Sequence, residues 1–240
     1  YFRRVRRIPS GFGPYEHSRL AREHGVHILG ASAPVDAGGT RPVNRAHFFA
    51  PSGAMGHQDK QIMTRYEREV WDIRPGGPLQ VIDTDLGRLG ILICYDNNVI
   101  ENVRATTLLG AQLIFMPHVT GCTPSPMPGR GWVDMRLWEK RASDPEALRN
   151  EFEGPKGRGW LLRWLPARAY DNSLYVMACN QGGDNERGLN LPGVAFVPVR
   201  FTPDASKFSG EDCGGVNIIV TDRAAFEPLR TRPPEQTFPE

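Results

Sequence analysis

Short apolar runs alternate with amphipathic stretches along the chain, and their succession predicts an α/β layer protein. Pro14 opens YEHSRLAREH, where Leu20 and Ala21 form the apolar stripe and Gly25 the stop, so a helix is predicted there. VHILGAS (26–32) reads as a buried strand, followed by a loop through Asp36 to Pro42, and RAHFFAPSG as a further strand and turn. LQVIDTDLGRLGILICYD offers strands at 79–83 and 89–95, joined by a tight turn at Leu86-Gly87. VIENVRATTLLGA is a helix ended by Gly110, and QLIFMPHV is the strand after it. WLLRWLPARAYDN returns to helix and SLYVMACNQ to strand. GVAFVPV and GVNIIVT read as two more strands before an extended tail at about 223–240. The stretch 119–158 is too long for an ordinary connection. It is expected to carry short helices near 133–141 and 145–152 and to act as a lid or a subunit contact. Neither a repeat nor a composition shift divides the sequence, so 1–240 reads as one domain.

Composition narrows the function classes. Hydrophobic residues are 40% and charged residues 23%, which supports a packed core and excludes a wholly disordered chain. Lys and Arg number 29 against 27 Asp and Glu, so neither nucleic acid nor an anionic membrane surface is an expected partner. Gly (26) and Pro (21) are frequent enough to imply long, shaped loops. The opening YFRRVRRIPSGF is basic but has no apolar signal-peptide core, and no apolar run is long enough for a membrane helix. Cys94, Cys122, Cys179 and Cys213 form no CxxC pair, which argues against a zinc ribbon or a disulfide framework and makes a reducing cytoplasm the expected compartment.

GRLGILICYDNN places Cys94 at the carboxyl end of an apolar strand, before a polar turn and a helix. Open α/β sheets put reactive groups there, and a thiol whose pKa is lowered by nearby positive charge becomes a nucleophile. The plainer reading of such a strand cysteine is structural. Cys122, Cys179 and Cys213 take that reading. Pairing Cys94 with His118 or His47 would make a Cys/His hydrolase, but neither histidine has a recognisable orienting partner.

The stretch GRLGILICYDNNVIENVRATTLLGAQLIFMPH resembles the cysteine motif of the nitrilase superfamily, the carbon–nitrogen hydrolases, with matches at Gly90, Cys94, Tyr95, Asp96, Arg104, Gly110, Ala111 and Pro117. NRAHFFAPSGAMGHQDKQIMTRYEREVW resembles the family's lysine motif, with its turn at Gly53, Lys60 and Glu67. LPARAYDNSLYVMACNQ resembles the third motif through Arg168, Ala169 and Asn172, with Asp171 in place of glutamate. Three ordered blocks over roughly 14–182 make a specific signal. Alone, Lys60 and Glu67 would read as a solvated ion pair.

The resemblance implies a four-layer αββα sandwich, dimerising through helices into a homodimer or larger homo-oligomer. It implies Cys94 as nucleophile, Lys60 and the Tyr95 amide as oxyanion partners, and Glu67 beside Lys60. His118, after Pro117 at a strand end, is expected to line the substrate pocket. The implied reaction hydrolyses a small-molecule C–N bond other than a peptide bond, with no metal or organic cofactor. Cys94-Tyr95-Asp96 points to linear amides or N-carbamoyl compounds, whereas Lys60…Thr64…Glu67-Arg68…Trp71 looks more like the nitrilase version. The family's general-base glutamate has no match in 1–59, since Glu16 and Glu23 fall on the first helix. The expectation is a chain lacking the family's amino-terminal β-α-β portion, with a catalytically inactive scaffold as the alternative. After the third block, PGVAFVPVRFTPDASKF keeps only a strand and a turn of the family pattern.

Overall fold

The computed structural model describes residues 14–120, 130–184 and 190–196, with side chains over 15–120 and 130–180. The predicted strand GVNIIVT and the tail at 223–240 lie outside the described residues.

Helix α1 (Pro14–His24) forms as the pattern predicts, with Glu16 in its first turn, Arg22 and His24 in its last, and Gly25 at φ 65° ending it. Four strands come next: β1 (Ile28–Leu29), β2 (Ala33–Val35), β3 (Val43–Phe49) and β4 (Met55–Asp59). The strand expected at 26–32 shrinks to the two residues of β1, and β2 forms within the stretch expected to be loop. Both pair antiparallel with successive stretches of β3, Leu29 opposite Phe48 and Pro34 opposite Asn44. Pro34 cannot donate to a ladder and so suits this edge position. β4 pairs along the other edge of β3. Its sequence, MGHQD, has one large apolar residue, so the ladder rather than an apolar face defines it. Helix α2 (Arg65–Glu69) then starts at a capping box, in which the Thr64 hydroxyl accepts from the Glu67 amide and the Glu67 carboxylate accepts from the Thr64 amide.

The second sheet contains β5 (Val81–Thr84), β6 (Gly87–Ile91), β7 (Leu113–His118), β8 (Tyr175–Asp184) and β9 (Asn190–Phe196), in that order. β6, β7 and β8 are parallel, and β5 and β9 are antiparallel edges. The helices of this half are α3 (Ile100–Leu108), α4 (Met135–Glu139), α5 (Pro145–Glu153), α6 (Arg158–Leu162) and α7 (Leu165–Asn172). The strands expected at 79–83 and 89–95 are therefore shifted, and Cys94 stands three residues past the end of β6. The single helix expected over WLLRWLPARAYDN is two helices, because Pro166 in the first turn of α7 has no amide to continue α6. The insertion does hold two helices, α4 and α5, while 121–129 lie outside the described residues.

Period-two alternation builds the layers. Leu89, Ile91 and Ile93 face Ala46 and Phe48 of the first sheet, together with Leu113 and Met177. Leu92, Ile114, Met116 and Val176 face the helices through Val103, Trp160, Leu161, Leu165 and Ala169. Gly90 lets α3 approach β6: a Cβ there would lie 2.4 Å from the Thr106 methyl. With α1 stacked on the first sheet through His17 and Phe49, the order is helix, sheet, sheet, helix. That is the expected αββα sandwich.

Candidate active site

Two loops meet at the carboxyl end of β6. The first comes after β4. Lys60 is 2% exposed and its Nζ donates to both Glu67 carboxylate oxygens at 2.7 Å. The sequence pattern makes this pair local, since the Thr64 cap that starts α2 also fixes Glu67. Thr64 donates to Glu67 Oε2 from its amide and its hydroxyl, both at 2.8 Å, and Asn44 Nδ2 donates to Oε1 at 3.1 Å. Burial alone would raise the Glu67 carboxyl pKa, but the Lys60 charge and these hydrogen bonds outweigh it and hold it low. Lys60 and Glu67 are thus a buried ion pair, and the solvated-loop reading is excluded.

The second loop is a one-turn 3-10 helix (Cys94–Asn98). Cys94 has φ 51°, the left-handed region that a non-glycine residue occupies at a cost of about 1–2 kcal/mol. Asn97 holds the turn, donating from Nδ2 to the carbonyls of Leu92 (2.9 Å) and Cys94 (3.0 Å). The Cys94 thiol pKa is pushed up by burial, with Glu67 and Asp96 adding to the rise. The Lys60 ammonium opposes it first, and a hydrogen bond from the Val119 backbone second. The cysteine at rest is a protonated thiol, close enough to Lys60 to feel its charge. Tyr95, 38% exposed, is next in the same turn.

Asp96 is fully buried, and burial raises its pKa to about 6. His118 is also buried. Its Nδ1 is 2.8 Å from the Met116 carbonyl, which makes Nδ1 the protonated nitrogen, and burial lowers its pKa to about 4. Its ring meets Trp164 edge-on at 5.9 Å, and Lys60 adds to the lowering of its pKa. Arg168 of the third motif donates from Nε to the Asn97 carbonyl at 3.0 Å, tying α7 to the nucleophile turn.

The structure therefore brings Cys94, Lys60 and Glu67 together, with Tyr95 beside Cys94 and His118 at the neighbouring strand end. Sequence patterns do not single out Asn44, Asn97 or the cap role of Thr64. The Thr64-x-x-Glu67 spacing is the available signal for the last of these.

A family model described as carbon-nitrogen hydrolase matches residues 16–197. The chain belongs to this family, within the nitrilase superfamily. Its relatives include the probable hydrolase YhcX of Bacillus subtilis, 38% identical over 217 residues that cover 88% of this chain and 36% of the relative. The chloroplastic omega-amidase of Arabidopsis thaliana is 26% identical over 90% of this chain and 52% of its own length. A nitrilase of Pyrococcus abyssi is 30% identical over 82% and 60%. The chain spans between about a third and three fifths of these relatives. A carbon-nitrogen hydrolase structure from Helicobacter pylori G27 superposes with a TM-score of 0.55 at 22% identity, over 76% of this chain and 57% of that one, and shows the shared fold. A second model, the C-terminal part of exo-beta-N-acetylmuramidase NamZ, matches 175–233. It overlaps the region where the family's carboxyl-terminal pattern fades.

Proposed function

We propose that this chain carries the nucleophile and the electrophilic lysine of a hydrolase that cleaves linear amides or N-carbamoyl compounds and releases ammonia. The observation that carries this reading is Cys94, held at φ 51° beside a buried Lys60–Glu67 pair whose ammonium is the chief influence favouring its thiolate. In the first half-reaction the Cys94 sulfur, losing its proton to a base, bonds to the carbonyl carbon. The carbonyl electron pair moves to oxygen, facing Lys60 Nζ and the Tyr95 amide. Collapse expels the amine, which takes up a proton, and leaves a thioester. Water then adds to the thioester, its proton going to the base, and the carboxylic or carbamic acid departs as the thiol re-forms.

Glu67 is engaged with Lys60, Thr64 and Asn44 and is not free to serve as that base. His118 is too weakly basic for the task with its pKa lowered to about 4. We assign the base to a residue other than these two, and His118 to the pocket wall.

The preference for amides over nitriles rests on the sequence Cys94-Tyr95-Asp96, while the nitrilase-like phrase lies in the lysine loop. Thr64 caps α2, and Trp71 packs edge-on against Tyr66 at 5.3 Å. Self-association through α3 and α7 is favoured by the exposed Ile100, Leu108, Leu109 and Tyr170. Among the described residues no helix is long and apolar enough to cross a membrane, and we retain a cytoplasmic setting as part of the proposal.

The deciding experiment scores ammonia release by the whole protein over linear amides, N-carbamoyl compounds and nitriles, beside Cys94→Ala. Turnover of the first two that vanishes in the variant is expected. Turnover of nitriles alone would shift the reading to a nitrilase, and no turnover at all would leave the scaffold alternative.

A further inference from the structure

The Lys60–Glu67 unit is knit almost wholly into its own half of the molecule. The Lys60 amide donates to the Asn44 carbonyl, the Gly76 amide to the Lys60 carbonyl and the Ile73 amide to the Glu67 carbonyl, each within 2.8–3.0 Å. These bonds all stay within 42–76. They leave the lysine tied to the thiol on the other sheet only through the apolar packing between the sheets.

One side chain supplies a direct polar link. Asp96 Oδ1 accepts from the Ile62 amide at 2.8 Å and the Gln61 amide at 3.1 Å, and Oδ2 accepts from the Gln61 amide at 3.3 Å and the Ile93 amide at 3.2 Å. Gln61 and Ile62 directly succeed Lys60, and Ile93 directly precedes Cys94. Among the described residues, no other hydrogen bond or ion pair joins 42–80 to 88–98. A carboxylate suits this task because it accepts on both oxygens and donates on neither, whereas an amide in its place would set N–H against N–H. Removing the carboxylate leaves up to three buried amides without a partner.

We propose that Asp96 is a positioning residue for hydrolysis, clamping the Lys60 loop to the nucleophile turn so that the ammonium stands at the developing oxyanion. The proposal rests on the amide-hydrolase reading above. Its physical basis is the steepness of electrostatic catalysis with distance, where a displacement of about 1 Å can lower the rate about a hundredfold.

The test turns on a difference of sign. The Asp96 charge raises the Cys94 thiol pKa, whereas Lys60 lowers it, with Glu67 and the Val119 amide as the other groups facing the sulfur. If Asp96 were merely a neighbouring charge, Asp96→Asn would lower the thiol pKa. If it clamps Lys60, the loop is released and the thiol pKa rises. We would measure the pH dependence of Cys94 alkylation by iodoacetamide in the whole protein, locating the label by mass spectrometry. Wild type, Asp96→Asn, Asp96→Glu and the same asparagine change in a Lys60→Met background would be compared.

The expected result is a raised thiol pKa in Asp96→Asn and a smaller rise in Asp96→Glu. In the Lys60→Met background the sign reverses to a fall. Ammonia release should show kcat lowered about tenfold or more with KM little changed, as for a lost transition-state contact. A lowered thiol pKa in Asp96→Asn with kcat near wild type overturns the proposal, and so does failure of both Asp96 variants to fold. Alkylation needs no substrate, so a protein that hydrolyses nothing would refute the functional reading and still report on the clamp.

Discussion

The Lys60–Glu67 pair offers a perturbation whose structural and catalytic consequences separate. Both side chains are nearly dry, at 2% and 7% exposure, with Nζ 2.7 Å from each carboxylate oxygen. At an effective dielectric constant of about 20, unit charges at that distance attract by about 6 kcal/mol. Desolvating each ion costs several kcal/mol, so the pair contributes little beyond what an apolar pair of the same volume would. Breaking it is another matter. Lys60→Met leaves the Glu67 charge buried, with only Thr64 and Asn44 to meet it, and should cost about 3–5 kcal/mol of stability. Glu67→Gln leaves the ammonium unpaired and should cost about as much. The double variant removes both charges and should fall well short of the sum, with a coupling of about 3 kcal/mol. Urea denaturation of the four proteins measures this cycle. Ammonia release in the same preparations should be lost by a factor of about 10²–10³ or more wherever Lys60 is absent, including the restabilised double variant. Destabilisations that add to within about 0.5 kcal/mol would show that the residues do not act as a unit. An unchanged kcat with a raised KM in Lys60→Met would recast the lysine as a substrate-binding residue.

The same geometry sets three further outcomes. Cys94→Ala should abolish turnover while Cys179→Ala leaves most of it, and an inactivating iodoacetamide label found on another cysteine would remove Cys94 from its role. His118, its pKa lowered to about 4 by burial, favours the folded state fully above its unfolded value near 6.5 and loses that contribution as pH falls towards 4. His118→Gln should therefore close the gap to wild-type stability by about 3 kcal/mol between pH 7 and pH 4, and parallel denaturation curves would contradict the assignment. Deleting roughly 123–156 should alter substrate range or assembly size and leave the sheets folded; loss of the cooperative unfolding transition would place the segment in the core.

Where local pattern and tertiary role coincide, the fold is legible in the sequence. The α1 boundaries are set by Pro14 and Gly25, and β7 by its apolar run, because one short-range signal decides each. β4 is illegible since it is held by the β3 ladder rather than by burial of its own side chains. The break between α6 and α7 is legible in Pro166 but masked by the apolar periodicity on either side of it. At the site, motif matching locates Cys94, Lys60 and Glu67, but the strand pattern places Cys94 on β6 because Ile93 and Leu92 continue the apolar alternation. Around the positive φ at Cys94, Asn97 donates to the Cys94 carbonyl and Asp96 accepts from the Ile93 amide, contacts that periodicity cannot carry.

The charges around the thiol bear on how the site works. At neutral pH Lys60 contributes one positive charge, and Glu67 and Asp96 contribute two negative ones, while His118 is neutral. Burial is the first reason the Cys94 thiol pKa is raised, and the Glu67 and Asp96 charges add to the rise against the opposing Lys60 ammonium. In the proposed mechanism the thiol proton leaves as the carbon–sulfur bond forms, when the negative charge moves onto the substrate oxygen and towards Lys60. Such a step needs a proton acceptor. Among the described residues, Glu67 and Asp96 are fully engaged as acceptors of other hydrogen bonds, and the His118 ring is too weak a base. On the proposed mechanism Cys94 and Lys60 therefore need a further residue as base, and the Asp96 clamp inferred above is what keeps the two in register.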